Sequence, residues 1–125
     1  MVVSGQRGGR RVMKHRAKGR RKPGEMNGTE AKMAAFLEAK KQAGEVLWYA
    51  FEQYTFKLAN DTRYTPDFAV LLANYELEFW EVKGFWRDDA KVKIKVAAAM
   101  FPHKFIGCRL IPNKRGGGWE FEVFG

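Results

Sequence analysis

The sequence predicts a mixed α/β (α+β) domain that follows a basic tail. Two segments with helical patterning alternate with stretches rich in aromatic and β-branched residues, which favour strands. The chain has 125 residues, of which 46% are hydrophobic, so one core is expected. We therefore expect a flexible tail over 1–24 and one folded domain over 25–125.

The first segment carries all of the excess positive charge. Residues 1–24 contain nine of the 23 lysines and arginines and no acid, whereas residues 25–125 contain 14 basic and 14 acidic side chains. The segment has too little apolar surface to offset the entropy that it would lose on ordering. We therefore predict that it is disordered when no partner is bound. Such arms usually contact phosphates, although a solubility or targeting segment has the same composition. The candidate nucleic-acid-binding residues are Arg10, Arg11, Lys14, Arg16, Arg20 and Arg21.

Other classes of protein are excluded by composition. No window reaches the run of about eighteen apolar residues typical of a membrane span, and the N-terminus lacks the apolar stretch of a signal peptide. Cys108 is the only cysteine, which excludes an internal disulfide and a cysteine zinc cluster. We expect a soluble protein without a membrane partner, in the cytoplasm, or in the host cytoplasm if a phage encodes it.

The first predicted helix covers residues 27–43. Asn27 can cap it, with Glu30 three residues on, and Gly44 stands where a C-terminal glycine is expected. Glu30 and Met33 have helical spacing, so one acid lies beside the apolar face.

Residues 46–83 change to a composition typical of strands, with turn residues at 60–62 and near 74–75. The pattern predicts a meander of about three antiparallel strands.

A second helix is predicted from Asp88 or Asp89 to about Met100. The alternation VKIKV within it would also suit a strand, but the alanines that follow favour a helix. KFIGCRLI and WEFEVF then supply one or two further strands.

Three features of this order suit a metal site. Asp67 opens one predicted strand, Glu81 and Lys83 close the next, and Glu30 lies on the preceding helix. Mg²⁺ prefers oxygen ligands and keeps several waters, so Asp67, Glu81 and the carbonyl of Val82 are suitable ligands. Such an ion activates water and neutralises the charge that develops when a phosphodiester is hydrolysed. Residues two apart in a strand share a face, so Lys83 can orient that water beside Glu81.

The loop between these two strands decides whether the carboxylates meet, because opposed residues of an antiparallel pair share a face. A two-residue turn over 74–75 would place Asp67 opposite Val82. A three-residue loop over 73–75 would place Asp67 opposite Glu81. The metal-site hypothesis therefore requires an odd-length loop or a β-bulge.

Each of these residues also has a purely structural alternative. Asp67 would be a turn residue after proline, Glu81 and Lys83 a solvated pair, and Glu30 only a capping residue.

Lys91 and Lys95 are one helical turn apart in the second helix. They are candidate phosphate contacts beside the site, and a solvated helix face is the equal alternative.

The strings TPDFAVLL and LEFWEVKG resemble the motif of the PD-(D/E)XK nuclease superfamily, with Pro66-Asp67 followed by Glu81-Val82-Lys83. RYTPDF before EVKG and DDAKVKIK is similar to small phage-encoded proteins of that superfamily. The resemblance covers about residues 27–111. It implies a restriction-endonuclease-like αβββαβ core, with a mixed central sheet flanked by helices, and DNA cleavage that depends on Mg²⁺ or Mn²⁺.

The resemblance also implies roles for single residues. Asp67 and Glu81 would be ligands and Lys83 catalytic. The helix acid of the superfamily matches Glu30, with Glu38 on the same helix and Glu25 just before it as alternatives.

We expect a Mg²⁺-dependent DNA endonuclease, with branched or junction DNA among its candidate substrates. The alternatives are a non-catalytic nucleic-acid-binding protein that uses the tail, and an enzyme that cleaves RNA. A homodimer, which would place two sites on two strands, is left open by the sequence.

Overall fold

The computed structural model describes residues 2–3, 24–83 and 88–125. It has two helices, α1 (Gly28–Gln42) and α2 (Asp88–Met100), and a short 3-10 turn (Asn113–Arg115). The strands are β1 (Val2–Val3), β2 (Val46–Phe51), β3 (Tyr54–Ala59), β4 (Thr62–Tyr64), β5 (Phe68–Leu72), β6 (Leu77–Lys83), β7 (Lys104–Leu110) and β8 (Trp119–Phe124).

A mixed five-stranded sheet forms the centre, in the order β2-β5-β6-β7-β8. Only the β6–β7 pair is parallel, and the other neighbours are antiparallel. One face packs against α1 through a cluster that includes Met33 and Val82. The opposite face packs against α2 through a cluster that includes Ile94 and Phe79. The predicted mixed α+β fold, with a helix on each face of the sheet, is confirmed.

The boundaries of α1 follow from its capping residues, as predicted. Asn27 Oδ1 accepts a hydrogen bond from the Glu30 N–H (2.8 Å), and Glu30 Oε1 accepts one from the Asn27 N–H (2.9 Å). At the other end Gly44 has φ +84°, a conformation that glycine adopts without strain. Met33 and Leu37, one turn apart, are fully buried.

The predicted meander needs correction in two places, because residues 46–59 form two strands and residues 62–72 form two more, β4 and β5. Glu52, with φ +50°, interrupts the first two, and its N–H donates to the carbonyl of Asp67 (2.8 Å). After this break β3 pairs with β4 around a turn at Asn60 and Asp61, outside the main sheet. This hairpin belongs to a small sheet of order β1-β3-β4, and the central meander is β2, β5 and β6.

The second half of the domain agrees with the prediction. Residues 88–100 are helical throughout, so the strand alternative for VKIKV is wrong. Ile94 and Ala97, three residues apart, are fully buried, while Val92 and Val96 remain exposed. Whether Asp88 or Asp89 caps the helix lies outside what the structure describes. Two strands follow, β7 and β8, and they pair with each other.

Among the described residues, no helix has the length and apolar character that crossing a membrane would require.

Candidate metal site

The β5–β6 hairpin is closed by a backbone hydrogen bond between Leu72 and Glu76, with the three residues 73–75 between them. Leu72 N–H donates to the Glu76 carbonyl, and the Tyr75 N–H donates to the Leu72 carbonyl, both at 2.9 Å. Within the ladder Phe68 lies opposite Trp80. Continuing this register by one residue places residue 67 opposite residue 81. The odd-length loop required by the sequence hypothesis is therefore confirmed.

Asp67 and Glu81 face each other on a rung without backbone hydrogen bonds between them. In an antiparallel ladder, hydrogen-bonded residue pairs alternate with pairs that are not hydrogen-bonded. Because Leu72 and Glu76 are hydrogen-bonded, every second pair counted from them is hydrogen-bonded as well. The rung of Asp67 and Glu81 falls between two of these, where Cβ atoms are about 4.5 to 5.5 Å apart. The pleat therefore brings the two carboxylates together on the α2 face of the sheet, the face that Phe79 also occupies.

Both carboxylates are buried, with 8% of Asp67 and 7% of Glu81 exposed. Burial raises the pKa of Asp67 well above its usual range, and the charges of Glu81 and Glu30 raise it further. Burial also raises the pKa of Glu81, against the opposing effects of Lys83 and Tyr64. A divalent cation bound between two such acids would remove this repulsion and favour their ionised forms.

Asp67 is held in place by both neighbouring strands. Its carbonyl accepts from the Glu52 N–H, and its Oδ2 accepts from the Val82 N–H at 2.8 Å. Its Oδ1 accepts no hydrogen bond from any residue that the structure describes. Because a buried acceptor without a donor is costly, this oxygen is suited to a cation.

Pro66 can offer no ladder hydrogen bond to the carbonyl of Val82, because proline has no N–H. The N–H and C=O of one strand residue point to the same edge, so this carbonyl points toward β5, as the Val82 N–H does. Continued two residues beyond its last pair, Phe68 and Trp80, the register would bring Pro66 opposite Val82. The Val82 carbonyl is therefore the candidate third oxygen ligand beside the Asp67 carboxylate.

Each oxygen of the Glu81 carboxylate has a partner of its own. Tyr64 donates its hydroxyl to Oε1 (2.9 Å), and Lys83 Nζ lies 3.2 Å from Oε2. Burial lowers the pKa of Lys83, but the charges of Glu81 and Asp67 outweigh that effect and the pKa is raised. Lys83 is therefore a cation at neutral pH. Burial and the charge of Glu81 raise the pKa of Tyr64 well above its usual range, so Tyr64 is a neutral donor.

Tyr64 is a member of the site that the sequence analysis did not identify. It lies on β4, where it is opposite Phe56, and both side chains point into the α2-face core. The hairpin thus carries the hydroxyl to Glu81, 17 positions along the chain. In the sequence, the charged Arg63 followed by the aromatic Tyr64 just before Pro66 could indicate a buried ring, but not its contact with Glu81.

The charge of Glu30 acts on the site, since it raises the pKa of both Asp67 and Lys83. Its carboxylate also completes the capping box of α1. The carboxylate of Glu38 instead accepts hydrogen bonds from Tyr49 and Gln42, each at 2.7 Å, and these bonds lower its pKa. Of these two acids of α1, Glu30 is the better candidate for the site.

The predicted phosphate-binding lysines of α2 have different surroundings. Lys91 Nζ lies 3.6 Å from Glu122 Oε1, and Lys95 is exposed. Between them, Lys93 donates to the carbonyl of Arg63 (3.1 Å). The candidate residues of the tail lie outside the described residues, namely Arg10, Arg11, Lys14, Arg16, Arg20 and Arg21.

In the described part of the chain, no group of three or more His, Cys, Asp or Glu side chains is placed to hold a metal ion. The candidate set is of a different kind, with two carboxylates and one carbonyl, and a Mg²⁺ ion at such a set completes its shell with water. Comparisons with protein-family models, with curated proteins and with solved structures found no match for the chain. A functional assignment therefore depends on the geometry of these residues.

Proposed function

We propose that the protein is a Mg²⁺-dependent endonuclease that hydrolyses DNA phosphodiester bonds. One observation carries the proposal: the carboxylates of Asp67 and Glu81 are buried close to each other, and the Lys83 ammonium lies 3.2 Å from Glu81 Oε2. A buried pair of acids is unfavourable without a cation, and hard oxygen ligands beside a lysine are suited to phosphodiester hydrolysis.

The order of elements supports the same proposal. Three antiparallel strands, β2, β5 and β6, lie between α1 and α2, and β7 then pairs parallel to β6. This is the αβββαβ order implied by the resemblance to the PD-(D/E)XK superfamily, with the β3–β4 hairpin inserted after the first strand. We infer a restriction-endonuclease-like core on that basis.

A bound Mg²⁺ would supply an acidified water and neutralise charge on the phosphate, and Mn²⁺ can substitute for it. Asp67, Glu81 and the Val82 carbonyl would hold the ion. Lys83, a cation next to Glu81, can donate a hydrogen bond to a phosphate oxygen or orient the attacking water. Tyr64 keeps Glu81 in one rotamer by binding its second oxygen.

The test is incubation of supercoiled, linear and four-way-junction DNA with Mg²⁺, compared with EDTA. We expect metal-dependent cutting by the wild type, and a loss of about a hundredfold or more in Lys83→Ala, as for removal of one transition-state donor. Asp67→Asn should lose both cutting and Mn²⁺ binding, measured by electron paramagnetic resonance. Glu76→Gln and Lys41→Ala, changes at exposed side chains, serve as matched controls.

Retarded but uncut DNA, with the same result for Asp67→Asn, would instead identify a non-catalytic nucleic-acid-binding protein. Parallel digestion of an RNA of the same sequence separates a ribonuclease from a deoxyribonuclease, since a ribonuclease would cut only the RNA.

A further inference from the structure

The loop between β7 and β8 lies at the same end of the sheet as the candidate metal site. β6 and β7 are parallel, with Glu81 opposite Gly107 and Lys83 opposite Arg109. The loop, residues 111–118, begins two residues beyond Arg109. Strand geometry gives a rise of about 3.3 Å per residue and a spacing of about 4.8 Å between strands. The loop therefore starts on the order of 10 Å from Lys83.

The loop is closed by its own backbone, which limits the conformations that it can adopt. The Ile111 N–H donates to the Gly118 carbonyl (2.8 Å), and the Arg115 N–H donates to the Pro112 carbonyl (2.8 Å). The N–H groups of Gly116 and Gly117 add two further bonds of 3.0 Å within the loop. A loop ordered in this way loses little further entropy when it binds a ligand.

Two adjacent cations project from this loop. Lys114 and Arg115 are exposed, and in the described part of the chain neither forms an ion pair with an acid. The loop itself contains no acid. The neighbouring Arg109 differs, because Glu120 neutralises it at 2.6 Å. Lys114 and Arg115 thus give this end of the sheet two uncompensated positive charges.

The three glycines that follow have no side chains to cover the backbone of the loop. Gly116, Gly117 and Gly118 have φ +108°, +69° and +83°, which side chains rarely tolerate. A Cβ on Gly116 or Gly118 would meet nothing within 4 Å, so open space adjoins the backbone here. Another chain can therefore approach the loop closely.

We propose that the loop over 111–118 is a DNA contact in which Lys114 and Arg115 bind backbone phosphates of the strand being cut. This inference rests on the proposed function and adds a binding surface to it. Phosphate contacts of this kind fix the register of DNA on the protein without reading its sequence.

The experiment measures binding of a short duplex DNA by fluorescence anisotropy over a range of salt, in EDTA so that no cutting occurs. The full chain is compared with Lys114→Ala/Arg115→Ala. The plot of log K against log salt has a negative slope, and each lost phosphate contact reduces its magnitude by about 0.9. We therefore expect the slope of the loop variant to be shallower by almost two units. Lys41→Ala/Lys104→Ala is the matched control, because it removes the same charge at the opposite end of the sheet.

The control should leave the slope nearly unchanged. The charge-conserving exchange Lys114→Arg/Arg115→Lys should restore the wild-type slope. An unchanged slope in the loop variant, or equal losses in the loop variant and the control, would overturn the proposal. Plasmid cutting is measured separately. If the protein does not cut DNA but the loop variant alone shows the shallower salt slope, the endonuclease proposal is refuted and the proposed DNA contact is supported.

Discussion

The two oxygens of Glu81 are occupied by Tyr64 and Lys83, whereas one oxygen of Asp67 has no donor among the described residues. The two acids are therefore not equivalent. Glu81 is fixed by side chains, while Asp67 is fixed through the backbone on either side of it. In the proposed enzyme, Asp67 would contribute the more accessible ligand and Glu81 the more rigid one.

In the proposed metal site, the hydroxyl of Tyr64 would help the carboxyl of Glu81 to ionise, in addition to the larger effect of the Lys83 charge. Its hydrogen bond lowers the pKa of Glu81, so Tyr64→Phe should raise that pKa and keep the carboxyl protonated to higher pH. We expect Mn²⁺ affinity to fall by about tenfold at pH 6 and less at pH 8, since a hydrogen bond to a charged group contributes about 1.5 to 3 kcal/mol. Electron paramagnetic resonance titration at both pH values measures this.

Tyr75→Phe, which removes an exposed hydroxyl, is the control for this change. Equal losses of affinity at the two pH values would contradict the pKa explanation.

The buried acids make the metal-free protein less stable at neutral pH. The pKa of Asp67 is raised on folding, so protonation stabilises the folded state, and that stability is lost as pH rises from about 4 through the folded pKa. Asp67→Asn cannot ionise. In EDTA it should exceed the wild type in free energy of unfolding at pH 8, and by more at pH 8 than at pH 4, because only the wild type must hold a buried charge at the higher pH.

Urea unfolding at pH 4 and pH 8 tests this, with Glu76→Gln as an exposed control. A gap of the same size at both pH values would contradict the raised pKa of Asp67.

At this scale, the sequence predicted the residues that depend on local spacing. Glu81 and Lys83 are two apart on one strand, and the structure joins them in an ion pair. Tyr64 could not be predicted in this way, because its contact requires a hairpin to fold over the sheet. Nothing in the pattern of residues 54–64 specifies where that hairpin docks.

Among the elements, the loop over 73–75 has the largest effect on the site. A loop shorter by one residue would move Asp67 to the other face of the sheet relative to Glu81. Tyr75 occupies the left-handed conformation that completes this loop, with φ +70° and 79% of its surface exposed. A tyrosine there is strained and makes little use of its ring.

Tyr75→Gly should therefore raise the free energy of unfolding by about 0.5 to 1 kcal/mol, because glycine adopts a positive φ without strain. Thermal or urea unfolding measures the gain. Tyr75→Ala removes the same ring but keeps the strain, so it should not stabilise the protein. If both variants gained a similar free energy of unfolding, the effect would come from removal of the ring and not from relief of the backbone strain.

The helices were open to prediction because capping residues and hydrophobic periodicity are local signals. The length of the loop between β5 and β6 was not, and the sequence left two and three residues as alternatives. The break at Glu52 was not open to prediction either. Aromatic residues continue on both sides of it without glycine or proline, and the turn depends on a bond from Glu52 to the distant Asp67. Long-range pairing therefore overrode a continuous strand pattern.

For the whole molecule, charge is divided between a neutral folded domain and a basic segment over 1–24. Replacing the nine lysines and arginines of that segment by glutamine, which keeps β1 (Val2–Val3), should reduce the salt dependence of DNA binding, by as much as about eight units of slope if all nine cations contact phosphates. Anisotropy titrations from low to high salt measure the slope. Cutting of a short oligonucleotide at low salt should persist, because the candidate site lies in the folded domain. An unchanged slope would show that the segment over 1–24 does not contact DNA phosphates.

The order of strands in the sheet is a property that local patterns do not contain. Periodicity indicated β7 and β8, but neither their neighbours nor the parallel pairing of β6 with β7. That pairing matters for function, since it brings the loop over 111–118 to the end of the sheet where Lys83 lies.

Pro66 shows how a missing atom can shape a site. Had residue 66 carried an amide hydrogen, the ladder between β5 and β6 would have gained one more bond, contributing about 1 kcal/mol, and the oxygen of Val82 would have been consumed by it. With proline at residue 66, that bond cannot form. In the proposed site, a ligand oxygen would thus arise within an ordinary sheet because a donor is missing, without the addition of any polar side chain.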